Sequence, residues 1–182
     1  MARAMKMTAG VSCLLTAVFA WIYIQFRLDA AETFAITFGT IAYHFCMRLA
    51  VGGIFNSAMK NRADYTRRWF RTSRLEARIY KALRVKDWKN RMPTYNKSCF
   101  DASRHSYDEI ARAMCQSELV HETIIAFSFL PVIASVWFGA LPVFLITSVV
   151  SACFDGMFVI MQRYNRPRVL RLIKRQNKQQ SR

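Results

Sequence analysis

Glu118-Leu119-Val120-His121-Glu122 is the stretch of this chain whose residue types and spacing could do chemistry. Two carboxylates and an imidazole enter an apolar region together, where a long basic segment gives way to a run almost without charge. On a helix, positions three and four apart share a face, so Glu118 stands beside both His121 and Glu122. Such a trio suits general acid–base catalysis, in which a carboxylate orients the imidazole that takes the proton. Ionisable groups at the start of a membrane span are costly to bury and point to function by default. The spacing Glu118-x-x-His121 also occurs in di-metal helix bundles, which use two such motifs plus further glutamates. Only one is present here, so no metal is expected. Were one bound, Glu118, His121, Glu122 and His44 are the candidate ligands.

The elements that must position these groups follow from composition. The chain has 182 residues, of which 53% are hydrophobic, and a formal charge of +16. Those values are compatible only if apolar and basic residues are segregated. The apolar stretches divide into four spans, at about 7–26, 34–58, 118–137 and 141–162, each near the length a bilayer needs. The last two are separated by Trp137-Phe138-Gly139-Ala140-Leu141-Pro142, a turn with interfacial aromatics and a proline suited to starting a helix. The expected fold is an all-α integral membrane protein with four transmembrane helices and cytoplasmic interfacial amphipathic helices. Residues 1–182 form a single membrane domain.

Lys and Arg number fifteen in the connection 59–117 and eight in the tail 163–182, while the two opposite connections carry little charge. The positive-inside rule therefore puts both termini and the long connection in the cytoplasm, with the chain in a bacterial inner membrane. The same basic charge favours anionic headgroups as partners. No nucleic-acid motif is present, and nucleic acid is not expected. The five cysteines are scattered without CxxC spacing, which argues against a disulfide framework or zinc site. The sequence assigns no oligomeric state.

Met7–Phe26 reads as an uncleaved signal anchor, and Leu28–Thr33 as a tight turn. Within Asn61–Met92, Tyr65 and Trp69, and then Leu75, Ile79 and Leu83, recur at helical spacing among arginines and lysines, which predicts one or two amphipathic helices at the inner membrane surface. Pro93 ends that pattern, and a loop follows over 94–104. Ser106-Tyr107-Asp108-Glu109 is a capping box opening a helix that runs into the third span, and Pro131 is expected to kink it. The second span holds His44 and Arg48 on one face, and the fourth holds Asp155.

At about 1.5 Å of rise per residue, Arg48 and Asp155 each lie about 21 Å from the outer end of their spans, Glu122 about 22 Å and His121 about 24 Å. A polar pocket in the cytoplasmic half of the membrane is expected, with Arg48 neutralising Asp155 or Glu122 as a structural ion pair. His121, Glu118, Glu122, Arg48 and His44 are the candidate catalytic residues.

Three stretches together carry a family resemblance: Leu83-Arg84-Val85-Lys86-Asp87-Trp88-Lys89, Glu118-Leu119-Val120-His121, and Gln162-Arg163-Tyr164-Asn165-Arg166-Pro167-Arg168. In order and spacing they resemble the glycosyl-4,4'-diaponeurosporenoate acyltransferase family of small bacterial membrane proteins, over roughly the second half of the chain. The resemblance implies transfer of a fatty acyl group to a sugar hydroxyl of a membrane glycolipid in staphyloxanthin-type carotenoid biosynthesis. It carries Trp88, Lys89, Glu118, His121, Arg163, Asn165 and Arg166 as matching positions. Glu122 departs from the pattern, because an aromatic residue is associated with that position in the carotenoid enzyme.

The residues suit that chemistry. His121, oriented by Glu118 or Glu122, is the general base. Arg48 or Asn165 stabilises the oxyanion. Arg84, Lys86, Lys89, Arg163, Arg166 and Arg168 are the candidate residues for binding the donor's phosphates, with Trp88 and Asn165 as further substrate-binding residues; acyl-CoA is a candidate co-substrate, and no resident cofactor is expected. No serine or cysteine nucleophile motif stands out, which favours direct transfer. Two other readings compete: a non-catalytic membrane protein that binds anionic lipid or a partner, and a metal-dependent lipid-modifying enzyme.

Overall fold

A computed structural model describes residues 2–92 and 97–180. Residues 93–96 lie outside it, and with them the expected stop at Pro93 and the first positions of the expected loop at 94–104. Every regular element among the described residues is helical: α1 (Ala2–Phe26), α2 (Asp29–Met59), α3 (Arg74–Ala82), α4 (Val85–Trp88), α5 (Tyr107–Phe127), α6 (Leu130–Phe138) and α7 (Leu141–Gln180). Single 3-10 turns occupy Arg68–Phe70, Lys89–Arg91 and Lys97–Phe100. Four stretches are long and apolar enough to cross a membrane: α1, α2, Tyr107–Phe138 (α5 with α6) and α7. The chain is thus an all-α, multi-pass membrane protein with four spanning helices, as its apolar pattern predicts.

The chain divides into two compact units, Met1–Gly53 with Thr123–Phe154 and Ile54–Glu122 with Asp155–Arg182. In the first, Phe19 of α1 stacks on Phe34 and Phe38 of α2 with ring centroids 5.0 and 5.7 Å apart. Gly39 allows close approach, since a Cβ there would meet the Thr16 methyl at 3.4 Å. The turn joining α1 to α2 is shorter than expected. Only Arg27, in the left-handed region, and Leu28 lie outside helix. Asp29 and Glu32 sit in the first turn of α2, where carboxylates offset the positive end of the helix dipole. Met7, Val11, Leu14 and Val18 along α1 are exposed, as suits a helix solvated by lipid tails.

Pro131 does more than kink its span. It sits at the first turn of α6, after a break at Ser128 and Phe129. Proline has no N–H to return to the carbonyl four residues back, which here is Phe127. That carbonyl instead accepts from the Tyr43 hydroxyl at 2.8 Å. Gly139 then ends α6 at φ 65°, a conformation glycine adopts without strain, and donates to the Ser135 carbonyl at 2.9 Å.

In the second unit, Lys60 and Asn61 take positive φ to end α2, and the Asn61 N–H is held by Gln116 Oε1 at 2.6 Å. Ala63, Phe70 and Cys115 form a small buried core, with Met59, Tyr65 and Leu119 packed against it. A Ser73/Glu76 capping box starts α3, and the Ser106/Glu109 box starts α5 as its sequence indicates. α3 is amphipathic: Tyr80 is buried, whereas Leu75, Ile79 and Leu83 are exposed. α7 runs without interruption past Pro167 to Gln180.

Candidate active site

The second unit gathers most of the candidate residues. Arg163 and Arg166, three apart on α7, share the helix face that meets Glu118 of α5. Arg163 Nε donates to Glu118 Oε1 at 2.7 Å, and Arg166 Nη1 donates to Glu118 Oε2. Glu118 is fully buried and Arg166 is 1% exposed, so each carboxylate oxygen is neutralised by its own guanidinium in a region water does not reach. The two arginines also tie the preceding segment to α7. Arg163 bonds Glu76 and the Trp69 carbonyl, and Arg166 bonds the Phe70 carbonyl and stacks over the Phe70 ring at 5.1 Å. Their donors are therefore engaged by protein acceptors.

Glu122, one turn on from Glu118, accepts from the Trp69 indole at 2.9 Å and lies 3.7 Å from Arg163. His121 turns elsewhere. Its Nδ1 is 2.8 Å from Asp155 Oδ1, and its ring stacks on Phe158 at 4.5 Å with an interplanar angle of 5°. Asp155 is 1% exposed, while the imidazole keeps partial exposure. Asp155 thus occupies the orienting position expected of Glu118 or Glu122, whose oxygens face the arginines and Trp69. The sequence carried a signal for this contact, since helical rise puts Asp155 and His121 at similar depth. Phe158, three residues beyond Asp155 on the same face, completes the seat.

Lys89 donates from Nζ to Asn165 Oδ1 at 2.6 Å and lies 5.4 Å from the Tyr164 ring centroid. Arg168 lies 5.1 Å from that ring and reaches its hydroxyl at 3.2 Å. Trp88 has a tethering contact, its indole donating to the Leu83 carbonyl at 3.0 Å. Trp69, Thr72, Glu76 and Tyr164 belong to the site and were not singled out from sequence. Glu76, an acid inside a basic segment, is the signal that could have found the first three. Burial by itself would raise the Glu76 carboxyl, but the Ser73 N–H and the Arg163 guanidinium outweigh it and hold the group below its usual range.

His44 and Arg48 belong to the first unit. Arg48 donates to Ser151 Oγ at 2.7 Å and to the His44 carbonyl at 3.2 Å, and Ser151 Oγ is 2.9 Å from Ser128 Oγ. His44 is buried, with its ring edge-on to Tyr43 at 5.5 Å. Among the described residues, no three His, Cys, Asp or Glu side chains are grouped to hold a metal ion.

No curated protein and no solved structure was found to match the chain. The family model for glycosyl-4,4'-diaponeurosporenoate acyltransferase (CrtO) matches residues 66–175, more than half of the chain. The matched region includes the buried Glu118 pair, the His121–Asp155 contact and the Tyr164 cations. The chain belongs to this family of acyltransferases of carotenoid biosynthesis.

Proposed function

We propose that the protein moves a fatty acyl group from an activated donor to a hydroxyl of a membrane glycolipid, with His121 as general base. The observation that carries this reading is the 2.8 Å contact from His121 Nδ1 to Asp155 Oδ1. With Nδ1–H donating to the Asp155 carboxylate, Nε2 keeps its lone pair as the basic nitrogen. Stacking on Phe158 limits rotation of the ring. Nε2 takes the proton of the acceptor hydroxyl as that oxygen bonds to the acyl carbonyl carbon. The tetrahedral intermediate then collapses with cleavage of the bond to the donor's leaving group, a thiolate if the donor is a thioester. The leaving group departs with the proton from Nε2, so the imidazole is regenerated. The family's name supports a glycosylated carotenoid acid as the acceptor. The concentration of Lys and Arg in 59–117 and in the tail supports a cytoplasmic position for both termini in a bacterial inner membrane.

The test is a lipid comparison in one bacterial host supplied with candidate glycolipid acceptors and labelled fatty acid. Wild type yields a new acylated glycolipid, and His121→Ala, inserted to the same level, does not. Equal product from both removes His121 from the chemistry. No product from a folded wild type removes the acyl-transfer reading.

A further inference from the structure

The arginines on one stretch of α7 differ in what neutralises them. Arg163 and Arg166 are matched by Glu118 and Glu76. Lys89 and Arg168, by contrast, both lie against the Tyr164 ring, and among the described residues no carboxylate pairs with either. Their acceptors are the neutral Asn165 amide and Tyr164 hydroxyl. Burial, and after it the charge of Arg168, hold the Lys89 ammonium below its usual range. Like charges at this range repel, and neutral acceptors do not offset that repulsion; a multiply charged anion does.

Arg168 and Tyr164 line a cavity of about 240 Å³ together with Thr72, Tyr80 and Arg171, and Lys89 lies against the same Tyr164 ring. Burial, with the charge of Glu76, pushes the Tyr80 phenol up to about 12, and its O–H donates to Glu76 Oε1 at 3.3 Å. The cavity is smaller than the roughly 300–1,000 Å³ of sites that engulf a drug-sized ligand. Its scale and the guanidinium groups of Arg168 and Arg171 suit a compact anionic group better than an acyl chain. Guanidinium forks and an ammonium together complement the several oxygens of a phosphate.

We propose that Lys89 and Arg168, against the Tyr164 ring, and Arg171, on the same cavity, form a binding site for a phosphate group. The carrier is either a soluble nucleotide-type donor, such as a coenzyme A thioester, or an anionic phospholipid headgroup. The site's role in seating an acyl donor rests on the acyl-transfer reading; the binding itself does not.

The experiment uses the full chain in uncharged detergent, titrated with inorganic pyrophosphate and with coenzyme A. In parallel, nanodiscs of phosphatidylcholine with and without phosphatidylglycerol test for lipid retention at the site. Binding of the soluble probes that weakens about ten-fold in Lys89→Gln and in Arg168→Gln supports the site and a soluble carrier. No soluble binding, but a phosphatidylglycerol preference lost in the same variants, supports the site with a lipid carrier. Arg171→Gln, an exposed change, gives the same direction if either other variant fails to fold. Variants that bind as wild type does, or a wild type that takes none of the probes, overturn the proposal. His121→Ala keeps phosphate binding while losing product. A wild type that binds phosphate but transfers no acyl group sinks the acyl-transfer reading and leaves the site standing.

Discussion

The Thr72 hydroxyl donates to the Arg163 carbonyl at 3.2 Å. That carbonyl is the one Pro167, four residues on, has no N–H to serve. A proline inside a helix ordinarily frees a carbonyl and bends the chain. Here a side chain from before α3 meets the freed group, and α7 continues to Gln180. The helix therefore carries Arg163, Arg166 and Arg168 in one register through the site.

Thr72→Val should destabilise the protein by about 1 kcal/mol, the usual net worth of such a bond. In a Pro167→Ala background the helix regains its own N–H, and the cost of Thr72→Val should shrink. A double-mutant cycle of unfolding in detergent measures this. Costs that simply add would argue that Thr72 does not stand in for the missing donor.

His121→Ala should lower turnover by roughly 10²–10⁴, the range for removing a general base. Asp155→Asn should reduce kcat more than it raises KM, because it disturbs the orientation of His121 and not acceptor binding. Combined with His121→Ala it should cost little further activity. Additive losses would place Asp155 outside the His121 function.

Glu118→Gln leaves Arg166, which is almost fully buried, without its carboxylate partner, while Arg163 keeps Glu76. Breaking a buried pair in this way costs about 3–5 kcal/mol. Loss of folded protein from the membrane is the expected result, assayed by detergent-solubilised yield and thermal unfolding. Arg166→Lys should not preserve stability, since an ammonium cannot bridge both Glu118 and the Phe70 carbonyl as the guanidinium fork does. A stable but inactive Glu118→Gln would move Glu118 from scaffold to chemistry.

Glu76 gives a pH prediction. Its carboxyl titrates below the ordinary value of 4.5 in the folded chain. Its contribution to stability is thus fully present above that value and is lost as pH falls through the folded pKa. Glu76→Gln should flatten the acid limb of a stability-versus-pH curve while leaving its neutral-pH slope alone. An unchanged acid limb would count against the Glu76–Arg163 pair as a source of stability.

The four spanning helices, the Ser106/Glu109 capping box, and the segment of mixed basic and apolar residues that becomes α3 were legible in the chain. Helical periodicity, hydropathy and cap chemistry are local properties, and lipid rewards continuous apolar length whatever the packing. The layer shared by His121 and Asp155 was legible too, because rise along a helix converts position into depth. Which carboxylate serves which partner was not. Glu118, Glu122 and Asp155 look equivalent in composition, but rotation about α5 and α7 points Glu118 at two arginines, Glu122 at Trp69, and Asp155 at His121. Nor was it legible that Pro131 breaks its span whereas Pro167 does not. Both lose the same backbone donor, and a hydroxyl from elsewhere in the same unit, Tyr43 for one and Thr72 for the other, meets each freed carbonyl.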